Sequence, residues 1–166
     1  MAHWRGGSPE GPLSPLGLGV VVAVVVLDQI AKFAAEAMLP LGEAIELLPI
    51  LTLYRVANTG IAFSFFAGSG VALIILMLVV SAVVIGFWVR THEGGRLAAI
   101  GFALILGGAI GNLIDRVRLG YVVDFLLLHL GDWTLFVFNL ADAALTLGPA
   151  LLILVYLFPG KGVAGA

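Results

Sequence analysis

The sequence contains no cysteine and very little charge. The lack of cysteine excludes disulfide bonds, thiolate nucleophiles and cysteine-based metal sites. Only 11% of the 166 residues are charged, whereas 61% are hydrophobic, and the mean hydropathy is +1.17. A soluble domain of this length has too much surface to cover with so few charges. The net charge of −2 provides no basic field for nucleic acid, so we expect no nucleic-acid partner.

Long apolar stretches are present instead, and they predict four membrane-spanning helices. A helix needs about 20 mostly apolar residues to cross a bilayer, and such segments run at about 14–38, 70–90, 96–114 and 140–158. The two long linkers, at about 40–69 and 115–139, contain aromatic and β-branched runs that are typical of strands. We therefore predict an all-α integral membrane protein with four transmembrane helices and a small extracytoplasmic β-rich platform.

The length of the chain fits one compact unit. We predict a single membrane domain at 14–159, between a flexible Gly/Pro-rich tail at 1–13 and a short tail at 160–166. An even number of spans places both long linkers on one face, opposite the termini and the polar turn RTHEGGR at 90–96. Lysine and arginine are divided equally between the two faces, so the positive-inside rule alone does not orient the chain.

The orientation follows from the setting of the basic residues. Those on the linker face are interspersed with aspartate and asparagine, as in a site, whereas the others only flank span ends. We therefore expect the termini and the RTHEGGR turn in the cytoplasm. A cleavable signal peptide is an alternative for the first apolar run, but Asp28 and Lys32 would interrupt its apolar core.

Two aspartates border the second long linker beside apolar segments: Asp124 in YVVDF and Asp142 in FNLAD. A carboxylate next to hydrocarbon is costly, and an acidic residue at membrane depth therefore indicates a functional site. If the two side chains lie close together, they cannot both ionise easily and they share one proton. Such a pair offers a base for water and an acid for a leaving amine. A helix cap at Asp142 and a loop carboxylate at Asp124 are the structural alternative.

Further polar residues stand among apolar neighbours. Asp28 and Lys32 have the i, i+4 spacing of an ion pair, for which a structural role is favoured over catalysis. Asn112 lies one helical turn before Asp115 and Arg116, which point to different faces of a helix and need separate partners. Arg116 can reach the aspartate of YVVDF, a substrate carbonyl or an interfacial ion-pair partner.

Two asparagines have both a local and a functional interpretation. Asn58-Thr59-Gly60 predicts a turn, and Asn58 can also bond a substrate backbone. Asn139, one turn before Asp142, is suited to cap a helix or to support that carboxylate. The Gly107 and Gly111 spacing in the third span predicts close helix packing.

Other hydrolytic chemistries fit the sequence poorly. The histidines His3, His92 and His129 are scattered and no H-E-x-x-H motif occurs, so we predict no metal site and no cofactor. No serine lies in a G-x-S-x-G setting. A Ser64–Lys32 dyad is conceivable because a buried lysine can act as a base, but Asp28 competes for this lysine.

Taken in order, the segments LDQIAK, NTGIAFS, GGAIGNLIDR with GYVVDF, and FNLADAAL resemble lipoprotein signal peptidase (signal peptidase II), an aspartic peptidase family of the bacterial inner membrane. The resemblance runs from about Val20 to Phe158. It implies that Asp124 and Asp142 are catalytic, without indicating which is the base. The family's other polar site residues fall on Asp28, Lys32, Asn58, Gly60, Asn112, Asp115, Arg116 and Asn139.

The resemblance also implies the substrate and the location. The family cleaves signal peptides from prolipoproteins, just before a cysteine that carries a diacylglyceryl group. We accordingly expect a multi-pass protein of the bacterial inner membrane with its active site toward the extracytoplasmic face. Its partners are the lipid-modified prolipoprotein and membrane lipids, with no obligate protein partner.

Two hypotheses from other functional classes remain. Intramembrane aspartate and lysine also mark the ion pathways of small proton-coupled transporters. A transporter places such charges near the midplane and often has duplicated halves, whereas here they gather toward one face without duplication. A non-enzymatic membrane assembly factor, the third hypothesis, predicts that both aspartates can be replaced without loss of function.

Overall fold

The computed structural model describes residues 10–60, 70–91 and 94–158. In these residues the helices are α1 (Pro15–Met38), α2 (Gly70–Arg90), α3 (Gly95–Leu119) and α4 (Leu140–Leu157), and the strands are β1 (Ala44–Leu48), β2 (Leu51–Asn58), β3 (Val122–Leu130) and β4 (Trp133–Phe138). Most of the predicted N-terminal tail, the predicted C-terminal tail, His92 and Ser64 lie outside the described residues.

The four helices are all long and apolar enough to cross a membrane. The central one is α3, because 56% of its apolar window is buried, compared with 11–17% for the other three. Large side chains such as Leu27, Phe33 and Val71 are more than half exposed. Apolar surface on this scale is unusual for a soluble monomer and is suited to contact with lipid. The predicted fold class, four membrane-spanning helices with a small sheet, is confirmed.

Glycines allow α1 and α3 to approach closely. A Cβ atom on Gly107 would lie 2.8 Å from the Cβ of Val24, and one on Gly111 would lie 2.7 Å from Oδ2 of Asp28. A larger residue at Gly107 would force the two helices apart, and one at Gly111 would displace the carboxylate of Asp28. The G-x-x-x-G spacing therefore has the packing role that the sequence predicts, and it places the carboxylate of Asp28 directly against α3.

The other end of the bundle has an apolar core. The ring of Trp88 in α2 stacks on Phe102 in α3 with a centroid distance of 5.8 Å. The indole Nε1 of Trp88 donates a hydrogen bond to the carbonyl of Glu10 at 2.8 Å. The Ser14 side chain then caps α1 by accepting from the amide of Gly17. The chain that enters α1 thus lies at the same end of the bundle as the α2–α3 turn.

The two long linkers form one antiparallel sheet at the opposite end, with the strand order β1-β2-β3-β4. Each linker contributes a hairpin, and β2 pairs with β3 so that Val56 lies opposite Asp124 and Asn58 lies opposite Val122. The helices α2 and α3 are inserted between the two hairpins. The sheet therefore joins the last turn of α1 to the start of α4 and positions Asp124 beside the helix ends.

The end of the third span differs from the prediction. The predicted span stops near Ile114, at the first charged residue, whereas α3 continues to Leu119. The charge does not end the helix, because Asp115 is fully buried against Lys32 rather than exposed in a linker. The helix ends at Gly120, whose φ of 82° is the left-handed conformation common after a helix C-terminus.

Candidate active site

A cluster of buried polar side chains lies where α1, α3 and α4 meet β3. Buried polar groups are costly unless they are hydrogen-bonded, so each member of such a cluster needs a partner. The members that are at most 6% exposed are Asp28, Lys32, Asn112, Asp115, Asp124 and Asn139.

Lys32 is the cation of this cluster. Its Nζ lies 2.9 Å from Oδ2 of Asp28 and 3.0 Å from Oδ2 of Asp115. It also donates a hydrogen bond to Oδ1 of Asn112 at 2.9 Å. Each of the three ammonium protons therefore has an acceptor, as a buried lysine side chain requires. The i, i+4 pair that the sequence predicts is present, with a second carboxylate added to it.

The two carboxylates of this ion pair also hold the backbone near the candidate aspartates. Oδ1 of Asp28 accepts from the amide of Ala141 at 2.9 Å, in the first turn of α4. Oδ2 of Asp115 accepts from the amide of Val123 at 3.0 Å, in β3. Ala141 and Val123 are the residues that immediately precede the two candidate aspartates. The buried ion pair therefore fixes the positions from which both of those side chains project.

Asp124 is surrounded by neutral donors. Its Oδ1 accepts from Nδ2 of Asn139 at 2.7 Å, and its Oδ2 accepts from Nδ2 of Asn58 at 2.8 Å. Burial raises the pKa of Asp124 to about 6, the hydrogen bond from Asn58 opposes this rise, and the negative charge of Asp142 adds to it. A carboxyl group with such a pKa can hold a proton at a pH where an ordinary aspartate has lost it.

Asp142 lies in the first turn of α4 and forms a capping box with Asn139. Its amide donates to Oδ1 of Asn139 at 2.9 Å, and its Oδ2 accepts from the amide of Asn139 at 3.2 Å. Its Oδ1 accepts from Nδ2 of Asn112 at 2.7 Å. Asn139 thus has both roles that the sequence leaves open, because it caps α4 and its Nδ2 also contacts Asp124. One asparagine therefore links the two aspartates.

A pocket of about 200 Å³ lies beside this pair, between α2, α3 and the end of β2. Its wall from α2 is apolar and includes Leu73 and Met77, whereas α3 contributes Arg116. Nε and Nη1 of Arg116 are buried and have no hydrogen-bond partner among the described residues. Buried donors of a charged group are costly when unpaired. The described part of the chain contains no salt bridge between Arg116 and Asp124, so the guanidinium remains available for another acceptor.

The turn after β2 forms the rim of this pocket. Oδ1 of Asn58 accepts from the amide of Gly60 at 2.9 Å, which closes the predicted turn. Gly60 has a φ of 83°, and a Cβ atom there would lie 2.6 Å from Cδ1 of Leu73. The positive φ therefore favours glycine, and any side chain there would also have to displace the end of Leu73. Asn58 uses its oxygen for the turn and its nitrogen for Asp124, so the turn also orients that carboxylate.

One member of the network, Gln29, was not predicted. Its Nε2 donates to Oδ1 of Asp115 at 3.0 Å, to the carbonyl of Gly111 at 3.2 Å and to Oδ2 of Asp28 at 3.3 Å. The signal was present in LDQIAK, since an amide within an apolar span needs a partner as much as a charge does. All the predicted site residues lie at this end of the bundle, with Gly60 and Arg116 at the adjacent pocket.

The described residues contain no cluster of side chains that could bind a metal ion. Across residues 10–60, 70–91 and 94–158, no group of three or more His, Cys, Asp or Glu side chains is placed to hold a metal ion. The chemistry available at the site is that of two carboxyl groups, their amide donors and one guanidinium.

Comparison with known families decides between the hypotheses for this site. A family model described as Signal peptidase (SPase) II matches residues 20–158. The chain belongs to the signal peptidase II family. The predicted family and the predicted enzyme class, a membrane protease of the aspartic type, are thereby confirmed. The comparisons do not support the proton-coupled transporter.

Individual relatives agree with the family assignment. Proteins named lipoprotein signal peptidase in Mesorhizobium japonicum and Sinorhizobium fredii are 46% and 43% identical over 141 and 148 residues. These matches cover 84% and 89% of this chain and 83% and 89% of the relatives. The protein of the same name in Brucella ovis is 49% identical over 138 residues, covering 82% of this chain and 86% of the relative.

Solved structures show the same architecture. Two bacterial membrane enzymes determined by the in meso method, at 2.3 and 1.9 Å resolution, match this chain with TM-scores of 0.74 and 0.77. Their sequences are 28% and 27% identical to it, and the matches cover 85% and 87% of this chain and 87% and 94% of those enzymes. The overall fold of this signal peptidase II family member is therefore similar to that of enzymes with experimental structures.

Proposed function

We propose that this protein removes the signal peptide from bacterial prolipoproteins, cutting before a diacylglyceryl-modified cysteine, with Asp124 and Asp142 as the catalytic pair. The observation that carries the proposal is a difference between the carboxylates of the cluster. Asp28 and Asp115 both contact the ammonium of Lys32, whereas Asp124 and Asp142 accept hydrogen bonds from neutral amide groups. Asp28 and Asp115 are therefore engaged by a cation. Asp124 and Asp142 have no salt-bridge partner among the described residues, which leaves their carboxyl groups available for proton transfer.

The proposed reaction needs one proton on this pair at the start. The ionised carboxylate takes a proton from water while the water oxygen bonds to the scissile carbonyl carbon. The protonated carboxyl gives its proton to the carbonyl oxygen. When the C–N bond breaks, the leaving amine receives the proton that was taken from water, and a hydroxyl group of the tetrahedral intermediate returns its proton to the pair, which again holds one proton. No covalent bond to the enzyme forms. The products are a signal-peptide carboxylic acid, which ionises in water, and the amine of the new N-terminal residue.

The pocket beside the pair has suitable groups for binding the substrate. The unpartnered Nε and Nη1 of Arg116 match a peptide carbonyl oxygen, which is the acceptor that a substrate backbone brings. Leu73, Leu76 and Met77 of α2 give the pocket an apolar wall, as an apolar signal segment requires. Arg116, Asn58 and Asn112 therefore position the substrate and the carboxyl groups in this proposal.

The proposal places this site at the extracytoplasmic face of the bacterial inner membrane, with both termini in the cytoplasm. The even number of candidate spans and the contact between Trp88 and Glu10 support one part of it, that the termini and the α2–α3 turn share one side of the membrane. The sheet and the acidic pair lie at the other end. The partners in this proposal are the lipid-modified prolipoprotein and bilayer lipids, with no obligate protein partner.

The proposed substrate is tested with one prolipoprotein in two forms. The full-length enzyme, purified in mild detergent, receives the prolipoprotein with or without the diacylglyceryl group, and the products are identified by mass spectrometry. We expect cleavage before the modified cysteine to be at least about a hundredfold faster, because each buried acyl methylene contributes about 0.8 kcal/mol and a few are sufficient. Equal rates for both forms would overturn the lipid requirement, and no cleavage of either would overturn the proposed function.

The pH dependence of cleavage should depend on Asp124. Because its raised pKa is about 6, its proton is held below that pH and lost above it, and a doubly ionised pair has no proton for the leaving group. We therefore expect the rate to fall on the alkaline side of the profile. Asn58→Ala removes a hydrogen bond that stabilises the ionised carboxylate, so the pKa of Asp124 should rise and the alkaline limb should move to higher pH.

The measurement is the initial cleavage rate between about pH 5 and about pH 9 for wild type and Asn58→Ala. Thr59→Ala is the matched control, because Thr59 is the exposed neighbour in the same turn. The control should keep the wild-type profile. An alkaline limb that stays in place or moves to lower pH in Asn58→Ala would show that Asp124 does not supply the proton.

A further inference from the structure

A second cavity, of about 150 Å³, lies where the last turn of α1 and the end of α3 meet β2. Its lining includes Glu36 of α1, Arg55 and Ala57 of β2, and Tyr121, which follows α3. It shares no lining residue with the pocket beside Asp124. The proposed peptidase mechanism does not involve the residues that line this second cavity.

Arg55 is the unusual group in this cavity. Its Nη1 donates to the carbonyl of Glu36 at 2.7 Å, but its Nε is buried and has no partner in the described part of the chain. A buried donor of a charged group is rarely left unpaired without a reason. The register of β2 against β3 shifts between Leu53 and Val56, so Arg55 lies within an irregularity of the kind that redirects side chains. The unsatisfied Nε therefore indicates a missing acceptor.

The charges around the cavity favour an anionic acceptor. The carboxylate of Glu36 already contacts a second guanidinium, because Arg118 Nη2 lies 3.3 Å from its Oε2. Arg55 bonds the backbone carbonyl of Glu36 and not its carboxylate, so the charge of Arg55 has no carboxylate partner among the described residues. An arginine with a free edge binds phosphate oxygens through charge-assisted hydrogen bonds, which are stronger than bonds to neutral acceptors.

The position of the cavity relative to the membrane indicates where the anion comes from. The helix α1 ends at Met38 and α3 ends at Leu119, so the residues that line the cavity lie at the ends of two candidate membrane spans. Phospholipid headgroups occupy this level of a bilayer in both leaflets, and their phosphate oxygens are acceptors for an arginine with a free edge. We propose that this cavity binds the phosphate of an anionic phospholipid, with Arg55 as the principal donor.

The proposal is tested by lipid retention. The full-length protein is reconstituted into nanodiscs of equal phosphatidylglycerol and phosphatidylcholine, released in mild detergent, and analysed by native mass spectrometry for bound lipid. We expect wild type to retain phosphatidylglycerol preferentially and Arg55→Gln to lower this preference roughly tenfold. Arg90→Gln, which removes a charge at the opposite end of the bundle, should retain it fully. No preference in wild type, or an unchanged preference in Arg55→Gln, would refute the site.

A second variant keeps the test decisive if Arg55→Gln does not fold. Ala57 is exposed and lines the same cavity, so Ala57→Glu adds a repelling charge without altering Arg55. Loss of phosphatidylglycerol from this variant supports the proposal, and wild-type retention overturns it. Inorganic phosphate added to wild type should leave the lipid bound, and its displacement would instead assign the cavity to free phosphate. Retention does not depend on catalysis, so failure here leaves the proposed peptidase function untouched.

Discussion

Asp124→Asn and Asp142→Asn are each expected to lower the cleavage of lipid-modified prolipoprotein by at least about 10³-fold, within the range of general acid–base catalysis. Neither variant can keep one proton shared between two carboxyl groups, so either the base for water or the acid for the amine is lost. Initial rates measured with the purified full-length enzyme in detergent test this expectation. Full turnover in either variant would show that the pair is not the catalytic centre.

The loss of activity has to be separated from a loss of fold. Asp132→Asn is the matched control, because Asp132 is an exposed aspartate in the turn between β3 and β4. It should keep the wild-type rate. In Asp142→Asn the remaining side-chain oxygen can still accept one hydrogen bond at the start of α4. Thermal unfolding should therefore stay near that of wild type, and a large loss of stability in both site variants would favour the structural roles over the catalytic ones.

Much of the fold could be predicted because the membrane limits the choices. Apolar segments of spanning length have few alternatives to helix, and the β-like runs in both long linkers become the hairpins of one sheet. The acidic pair could be predicted for a related reason: a carboxylate beside hydrocarbon is costly, so Asp124 and Asp142 stand out. Pairing β2 with β3 is what brings Asn58 to Asp124, and no local pattern indicates that register.

Long-range partners explain where the structure differs from the sequence-based expectation. The sequence predicts that the third span ends near Ile114, directly before the charged Asp115. Its counter-ion, Lys32, is on a different helix, so the helix continues through the charge. The same limitation applies to Arg55, whose buried Nε becomes evident only when β2 is packed against α1. Gln29 is a different case, since its position in an apolar span could have identified it.

Lys32→Met is expected to destabilise the protein by about 3–5 kcal/mol, the cost typical of removing one partner from a buried ion pair. The substitution has little effect on side-chain volume, but it leaves the carboxylates of Asp28 and Asp115 buried without their cation. Those carboxylates hold the amides that precede the two candidate aspartates, so cleavage should fall even in molecules that stay folded. Unfolding of the purified protein by increasing denaturing detergent measures the first effect.

Arg118→Gln is the control for ion-pair loss, because the Arg118 and Glu36 side chains are 46% and 27% exposed. This substitution should lower the free energy of unfolding by less than about 1 kcal/mol, as the loss of an exposed ion pair usually does. If Lys32 balances these carboxylates, the effect of Asp28→Asn on stability should reverse between the two backgrounds. It should destabilise wild type, but it should restore part of the stability of Lys32→Met because it removes one of the two uncompensated charges. If Asp28→Asn lowered stability equally in both backgrounds, the buried cation would not be what balances these carboxylates.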